Sequence, residues 1–278
     1  MKDQITVSRN FKLITYLLII IGAGTIIFGL ISDRQTTWAN YLIVNYYFFS
    51  LAMGGAFFFV LQSISQSGWS SGFKRVSEAM MAYIPFAAIF FLLLWFGMHD
   101  LYHWSDKEAI AMEPAVQHKS VYLNVPFFFI RMVLYFILWI IFARKLRQIS
   151  LQEDQLDTGD SRGIMQLFGK TELYSKIFIF ILAITFSLSA VDWMMSIDVK
   201  WSSTIFALKN LVAASLHGIS VLTLIVIILY KRGHFPFFNE YHLHDFARYI
   251  FMFSIIWGYF WFAQFMIIWY GNIPEETV

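Results

Sequence analysis

Seven long apolar stretches alternate with shorter polar ones along the chain. An α-helix needs about 20 apolar residues to cross the hydrocarbon core of a membrane, and each stretch is close to or above that length. The apolar residues follow one another without alternating with polar ones, so the period of two expected of a membrane-spanning β-strand is absent. The pattern predicts an all-α integral membrane fold, a polytopic helical bundle whose seven transmembrane helices are Leu13–Ile31, Tyr41–Ile64, Ala79–Met98, Val121–Ala143, Ile177–Met195, Thr204–Tyr230 and Tyr249–Tyr270.

Basic residues are distributed unevenly between the connections. Most Lys and Arg residues fall at the N-terminus and in the connections after helices two, four and six. Because cytoplasmic loops of membrane proteins carry the excess of basic residues, we expect the N-terminus to be cytoplasmic and the Val278 end to be periplasmic. The longest of these connections, 144–176, also contains several acidic residues, and we expect it to be a solvated linker.

Composition narrows the possible functions. Hydrophobic residues make up 59 % of the chain and charged residues 14 %, whereas a soluble domain carries about 25 % charged residues, so a water-soluble enzyme is excluded. The net charge of +2 gives no indication of a nucleic-acid partner. The chain has no cysteine, so we predict no thiolate-bound iron–sulfur cluster and no attached haem c on it. We also assign no metal site and no catalytic residue to this chain.

Two charged residues fall well inside predicted helices. Arg131 lies about 14 Å from the periplasmic end of helix four, and Asp192 lies about 9 Å below Asp198 on helix five, at 1.5 Å per residue. Because the depths are similar on consecutive helices, we predict that Arg131 and Asp192 pair or share a polar cavity. A structural ion pair and a place on a proton path are both open at this point.

Other ionisable residues give weaker signals. His217 lies near the middle of helix six, where a hydrogen-bonded structural role and a place on a polar path are alternatives. Glu78 precedes helix three and has two possible roles, as a proton entry or as a first-turn carboxylate stabilised by the helix dipole.

A polar cluster occupies the periplasmic end of helix three. His99 and His103 have the spacing i, i+4 and would share a face if the helix continued, with Asp100 between them. The cluster could contact a partner, exchange protons near a quinone headgroup or bind a metal, although no third ligand is evident.

Several segments in order along the whole chain resemble the NrfD-like membrane subunits of bacterial alternative complex III, a quinol:electron-acceptor oxidoreductase, and most closely the smaller of its two such subunits. These segments are Trp38–Asn45, Gly54-Gly55, Gly68–Ser70, Lys74–Glu78, His99–Trp104, Tyr122–Asn124, Arg131, Asp192–Asp198, Trp201–Phe206 and Gln264–Thr277.

The resemblance implies a ten-helix subunit with two four-helix bundles and flanking helices, in a bacterial inner membrane. It implies as partners a larger NrfD-like membrane subunit, an iron–sulfur subunit related to molybdopterin enzymes, c-type cytochrome subunits and lipids, with haem c and iron–sulfur clusters on those partners. Whether this subunit binds menaquinone or ubiquinone is open. The residues near a proton path or a quinone would be Asp192, Arg131, His99, Asp100, His103, Glu78 and His217.

The domain organisation follows from the same resemblance. We expect a flanking helix in 1–37, a complete first four-helix bundle in 38–200 and the first half of a second bundle in 201–278, with the remaining helices beyond the sequence given. The function expected is a supporting and proton-conducting subunit of the complex.

Two other functions are weighed against it. The alternative is a secondary transporter with a mid-membrane polar site, for which Gly54-Gly55 is the one comparable helix break, although close helix packing also explains that pair. A retinal protein is excluded because the last predicted helix, Tyr249–Tyr270, contains no lysine.

Overall fold

Helices form nearly all of the structure, a computed structural model that describes residues 8–106, 114–156 and 159–272. No strand occurs among those residues. The predictions that concern Val278 and the end of the Gln264–Thr277 segment lie outside the described residues. The helices are α1 (Arg9–Ser32), α2 (Arg34–Ile64), α3 (Lys74–Met81), α4 (Ile84–Leu92), α5 (Met98–Leu101), α6 (Pro114–Lys119), α7 (Val125–Glu153), α8 (Ser161–Trp193), α9 (Thr204–Lys231) and α10 (Glu240–Gly271).

Seven of these helices or helix runs are long and apolar enough to cross a membrane, which confirms the all-α polytopic fold. One run, Ser71–Leu101, consists of α3, α4 and α5 with the short 3-10 turns between them. The end of the bundle at which α2, α7 and α9 finish is named the basic end here, and the other is named the opposite end. At the basic end Lys74 of α3 reaches Glu153 of α7, and Phe73 contacts His242 of α10.

Side-chain caps set the start of most long helices. The side chains of Ser8, Asp33, Asn124 and Asp160 each accept a hydrogen bond from a backbone N–H three residues further on. Asn239 forms a reciprocal capping box with His242 at the start of α10. Since these N–H groups have no partner within the helix, the caps fix where each helix begins. Asp33, directly before α2, has its pKa lowered by its hydrogen bonds from Thr36, which is the direction expected for a carboxylate cap.

The third span departs from the single helix predicted over Ala79–Met98. The run begins earlier, at Ser71, and is broken after Met81 and again at the 3-10 turn Leu93–Gly97. Pro85 has no N–H to donate to the carbonyl of Met81, so the helix cannot run unbroken through this point. Gly97 lies directly against the indole of Trp38, where a Cβ atom would come within 2.1 Å of the ring.

The expected linker 144–176 is also mostly helical. α7 continues to Glu153 and α8 begins at Ser161, so only a short connection separates them. The apolar stretches mark the part of a helix that lies in lipid, whereas Arg, Lys, Gln and Glu are good helix formers that extend a helix into water. The segment expected to be a linker therefore consists mostly of two helix ends, joined by a short connection.

Span Ser71–Leu101 packs with α2, α7 and α8 around an aromatic core. α9 packs onto α2 where Gly54 meets Gly218, and a Cβ atom on Gly54 would lie 2.0 Å from the carbonyl oxygen of Ala214. α2 runs unbroken through Gly54 and Gly55, so the glycine pair allows a close helix crossing and is not a helix break.

The two outermost spans differ from this core. No residue of α1 is buried, and α10 buries only Phe246 and Phe253. Of the tryptophans in the resembling segments, Trp38, Trp104 and Trp193 are buried.

Candidate functional site

A buried ion pair joins α7 to α8 near the opposite end. Arg131 Nε donates to Asp192 Oδ2 and Arg131 Nη2 donates to Asp192 Oδ1, both over 2.9 Å. Both side chains are buried. The bidentate geometry matches the two oxygens of a carboxylate with two parallel N–H groups, which is the strongest form of such a pair. The predicted pairing of Arg131 with Asp192 is confirmed.

Further groups saturate this pair. The phenol of Tyr135 donates to Asp192 Oδ2 over 3.2 Å, and Arg131 Nη1 donates to the carbonyl oxygen of Tyr122 over 2.9 Å. The guanidinium also lies 3.9 Å from the centre of the Tyr122 ring and 4.3 Å from that of Phe127. Burial and then the negative charge of Asp192 raise the pKa of Tyr122 to about 12, so this phenol keeps its proton at neutral pH.

The pair lies nearer the helix ends than the sequence suggested. α7 begins at Val125, which places Arg131 about 9 Å along the helix at 1.5 Å per residue. Asp192 is the last residue but one of α8. The difference arises because residues 121–123 are apolar but form a turn that ends at the Asn124 cap.

An aromatic layer fills the bundle next to this pair. Phe49 of α2 contacts the rings of Phe91, Phe136, Trp139 and Trp193, with centroid distances of 5.1 to 5.6 Å. All five side chains are buried. Phe136 and Trp139 lie between Arg131 and the basic end of α7, so these close-packed rings separate the two ends of the bundle. Trp193 Nε1 is buried in the layer without a hydrogen-bond partner in the protein.

Glu78 is the centre of a second charged cluster, at the basic end. Arg75 Nη1 donates to Glu78 Oε2 over 2.6 Å, and Arg147 of α7 forms a second ion pair with the same oxygen. Ser150 Oγ donates to Glu78 Oε1 over 2.5 Å. Arg75 also pairs with Asp154, so the cluster joins α3 to the end of α7.

The expectation that Glu78 is a first-turn carboxylate was wrong. α3 begins at Lys74, so Glu78 lies beyond the first turn, and two arginines rather than the helix dipole stabilise its charge. The side chain is only 1 % exposed. It is as buried as Asp192, although the sequence placed it outside the membrane.

A polar cavity of about 350 Å³ opens beside this cluster, among α2, α3, α7 and α8. Gln62, Ser77 and Ser150 line it, and Ser150 is also a partner of Glu78. The Gln62 Nε2 and Ser77 Oγ atoms are buried and have no hydrogen-bond partner in the protein. Buried polar atoms of this kind are normally satisfied by water or by a ligand.

The polar cluster after span Ser71–Leu101 does not form the expected helix face. α5 ends at Leu101, so His99 and His103 are on separate elements. His99 Nδ1 lies 2.9 Å from Ser105 Oγ, and Asp100 pairs with Arg34 of α2 over 3.2 Å. No group of three or more potential metal ligands occurs among residues 8–106, 114–156 and 159–272. The structure therefore brings Asp100 to Arg34, and it does not bring these histidines to the Arg131–Asp192 pair.

His217 and Lys209 both lie on α9, outside these clusters. The His217 ring packs at 5.6 Å from the Tyr47 ring on the exposed side of α9. The Lys209 ammonium lies 3.9 Å from the centre of the Trp261 ring on α10. His217 is not connected to either charged cluster.

Several members of the two clusters could not be identified from the sequence. Tyr135 is one helical turn from Arg131, and this spacing was the one available hint of a shared face. Arg147 and Ser150 lie in the segment expected to be a linker. They reach Glu78 because α7 extends as a helix to Glu153.

Comparison with protein-family models found no match to this chain. A search of curated proteins found no significant match either. The fold and the two charged clusters are thus described from the chain itself.

Proposed function

We propose that this protein is an integral membrane subunit of a bacterial respiratory complex of the alternative complex III kind, which oxidises quinol and passes the electrons to a c-type cytochrome. In this proposal the subunit has no redox cofactor of its own, supports assembly and conducts protons. The basic end faces the cytoplasm. The partners are those implied by the resemblance, a larger NrfD-like subunit, an iron–sulfur subunit and c-type cytochromes.

The buried Arg131–Asp192 pair is the observation that carries this proposal. Charged side chains are costly within a membrane and are retained mostly where they face a pathway or a partner. This pair lies in two of the segments that resemble the NrfD-like subunits.

The second cluster supports a proton-handling role. Ser150 donates to Glu78 and also lines the cavity at the basic end. Gln62 and Ser77 each place a polar atom without a partner in that cavity. Water in the cavity would connect the cytoplasm to the Glu78 carboxylate. The aromatic layer itself contains two polar atoms, Trp139 Nε1, which donates to Thr185 Oγ1 over 2.7 Å, and Trp193 Nε1, which has no partner in the protein. A proton path through the subunit would pass these groups.

The first experiment tests membership of a redox complex. The full-length tagged protein is purified from its native membrane in mild detergent, and its reduced-minus-oxidised visible spectrum is recorded. Because the chain has no cysteine, a stoichiometric c-type haem signal must come from partner subunits. A colourless, monodisperse preparation without redox subunits would contradict the proposal.

The second experiment separates assembly from proton conduction. Glu78→Gln removes a carboxylate at the cavity but preserves its shape, and Glu240→Gln changes an exposed carboxylate in the first turn of α10 as a matched control. We expect the Glu78→Gln complex to assemble and to oxidise quinol with a lower proton yield per electron, and the control to match the wild type. An unchanged proton yield in Glu78→Gln would remove Glu78 from the proposed path.

The cavity also favours the alternative, a secondary transporter. A space of about 350 Å³ lined by Gln62, Ser77 and Lys74 is of a size that holds a small polar solute. The unbroken α2 removes the helix break that the sequence offered for this alternative at Gly54-Gly55. The break after Met81, at the end of α3, is one that the sequence analysis did not consider. The colourless preparation described above is the outcome that would favour it.

A further inference from the structure

A second groove lies on the lipid-facing side of the bundle at the basic end. It has a volume of about 320 Å³ and separates α3 and α4 from α7. Ala82 and Pro85 form one wall, and Ile140 and Ala143 form the other. Arg144 and Arg147 line the same groove, which is named the arginine groove here. Glu78 also lines it, with its carboxylate buried and paired with Arg147.

The break between α3 and α4 shapes this groove. α3 ends at Met81 and α4 begins at Ile84, and the amide of Tyr83 donates to the carbonyl of Met80, three residues back. Because Pro85 cannot donate to Met81, the helical hydrogen bonding is interrupted here and the backbone tightens.

The groove is graded from apolar to basic along α7. Ile140, Ala143, Arg144 and Arg147 are spaced three or four residues apart in overlapping pairs, so they share one face of the helix. From Ile140 to Arg147 this face covers about 10 Å, at 1.5 Å per residue, toward the end of the helix outside the membrane. The apolar part therefore lies at the depth of acyl chains, and the basic part lies at the depth of lipid headgroups.

The guanidinium donors are available in this groove. Within the described residues, no carboxylate lies within ion-pair distance of Arg144. Arg147 uses Nη1 to bind Glu78 and is 44 % exposed, so other donors of its guanidinium face outward. The neighbouring Lys145 points elsewhere, with its ammonium 5.5 Å from the centre of the Tyr174 ring on α8.

We propose that the arginine groove binds an anionic phospholipid from the adjacent leaflet. Arg144 and Arg147 hold the phosphate of the headgroup, since guanidinium groups match phosphate oxygens with paired N–H donors. One acyl chain lies along Ala82, Pro85, Ile140 and Ala143. Basic pockets between transmembrane helices are a recurrent form of anionic-lipid site, and the apolar walls favour a lipid over a free phosphate.

Native mass spectrometry of the purified full-length protein tests this proposal with phosphatidylglycerol. Phosphatidylcholine with the same acyl chains is the zwitterionic control, and glycerol phosphate is the control without acyl chains. We expect the protein to retain phosphatidylglycerol and not phosphatidylcholine. Glycerol phosphate at equal concentration should not compete with phosphatidylglycerol. Equal retention of the two lipids, or equal competition by glycerol phosphate, would overturn the proposal.

Charge variants test whether the lipid binds in the arginine groove. Arg144→Gln should weaken retention of phosphatidylglycerol about fivefold, the amount typical for one basic residue near a charged lipid surface. Lys145→Gln removes the same charge from the adjacent position, which lies over Tyr174, and should retain the lipid as the wild type does. An equal loss in both variants would indicate diffuse attraction to the basic end, and no loss in Arg144→Gln would exclude the groove.

A steric variant keeps the test independent of charge. Ala82 is exposed in the wall of the groove, and Ala79 is exposed one turn earlier, outside the groove. Ala82→Trp should fill the apolar part and abolish specific retention, whereas Ala79→Trp should not. Retention by Ala82→Trp as strong as in the wild type would exclude an acyl chain from this space.

Discussion

The two buried carboxylates of this protein have contrasting surroundings. Asp192 faces one arginine, is saturated by Tyr135 and lies beside the close-packed aromatic layer. Glu78 faces two arginines, of which Arg75 is 32 % and Arg147 44 % exposed. It lines the arginine groove, and its partner Ser150 lines the polar cavity. Equal burial of a carboxylate therefore does not imply equal isolation from water, because the exposure of its partners decides the latter.

This contrast has energetic consequences. Removing one member of a sealed ion pair leaves a charge without compensation, whereas removing one member of a cluster with exposed arginines leaves charges that water can solvate. We therefore expect four single substitutions to lower the free energy of unfolding in detergent by amounts that decrease from the sealed pair to the exposed one.

Asp192→Asn should be the most damaging change. It leaves the buried guanidinium of Arg131 without a carboxylate, and the expected loss is about 3–5 kcal/mol. Reversible unfolding followed by circular dichroism measures it. Asp198→Asn is the control six residues further along the chain. Asp198 is exposed, so this change should alter stability by less than about 0.5 kcal/mol. A loss below about 1 kcal/mol for Asp192→Asn would contradict a sealed pair.

Glu78→Gln should cost less, about 1–3 kcal/mol. Arg75 retains Asp154 and Arg147 can turn toward water, so neither is left as an isolated buried charge. The same unfolding measurement compares the variant with Asp192→Asn. If both variants lost the same free energy, the distinction between an isolated and a water-connected carboxylate would be wrong.

Tyr135→Phe should cost about 1 kcal/mol, the net value of one hydrogen bond. The phenol donates to Asp192 Oδ2 over 3.2 Å, and the bidentate bonds from Arg131 remain. Tyr46→Phe removes a longer contact, 3.4 Å to Asn210, and should cost less. The reverse order of the two losses would show that Tyr135 contributes little to the pair.

Lys74→Gln should have the smallest effect, below about 1 kcal/mol. Its partner is Glu153 over 2.5 Å, and the two side chains are 30 % and 20 % exposed. High salt should weaken the contribution of the Lys74–Glu153 pair to the stability of the wild type, because this pair is partly exposed to solvent. A loss as large as that of Glu78→Gln would mean that the cavity wall depends on this pair.

The features of the fold that depend on hydrophobic pattern over long segments could be predicted from the sequence. The seven spans follow from apolar length, and the pairing of Arg131 with Asp192 follows from two buried charges on consecutive helices. The break after Met81 was not predicted, because a single helix was expected over Ala79–Met98, whereas Pro85 lies in the first turn of a separate helix, α4.

The surroundings of Glu78 could not be predicted for a different reason. An apolar window ends where a helix leaves the lipid, but the helix itself continues on residues that are polar and still helix-forming. Arg147 and Ser150 lie on that continuation, and their approach to Glu78 depends on how α7 packs against α3. The histidines at 99 and 103 show the opposite error, since a helical spacing was expected where the helix stops at Leu101.

The difference in water access between the two ends is most directly tested by thiol labelling, because the wild-type chain contains no cysteine. Ser63 lines the polar cavity on α2, and Ser50 lies about 20 Å away on the same helix, at 1.5 Å per residue, within the buried core. Each serine bonds only to a carbonyl oxygen of its own helix, so either tolerates replacement by cysteine. A charged, water-soluble thiol reagent should label Ser63→Cys rapidly and leave Ser50→Cys unlabelled in the folded protein. Rapid labelling of Ser50→Cys, or protection of Ser63→Cys, would contradict a wet basic end and a dry aromatic layer.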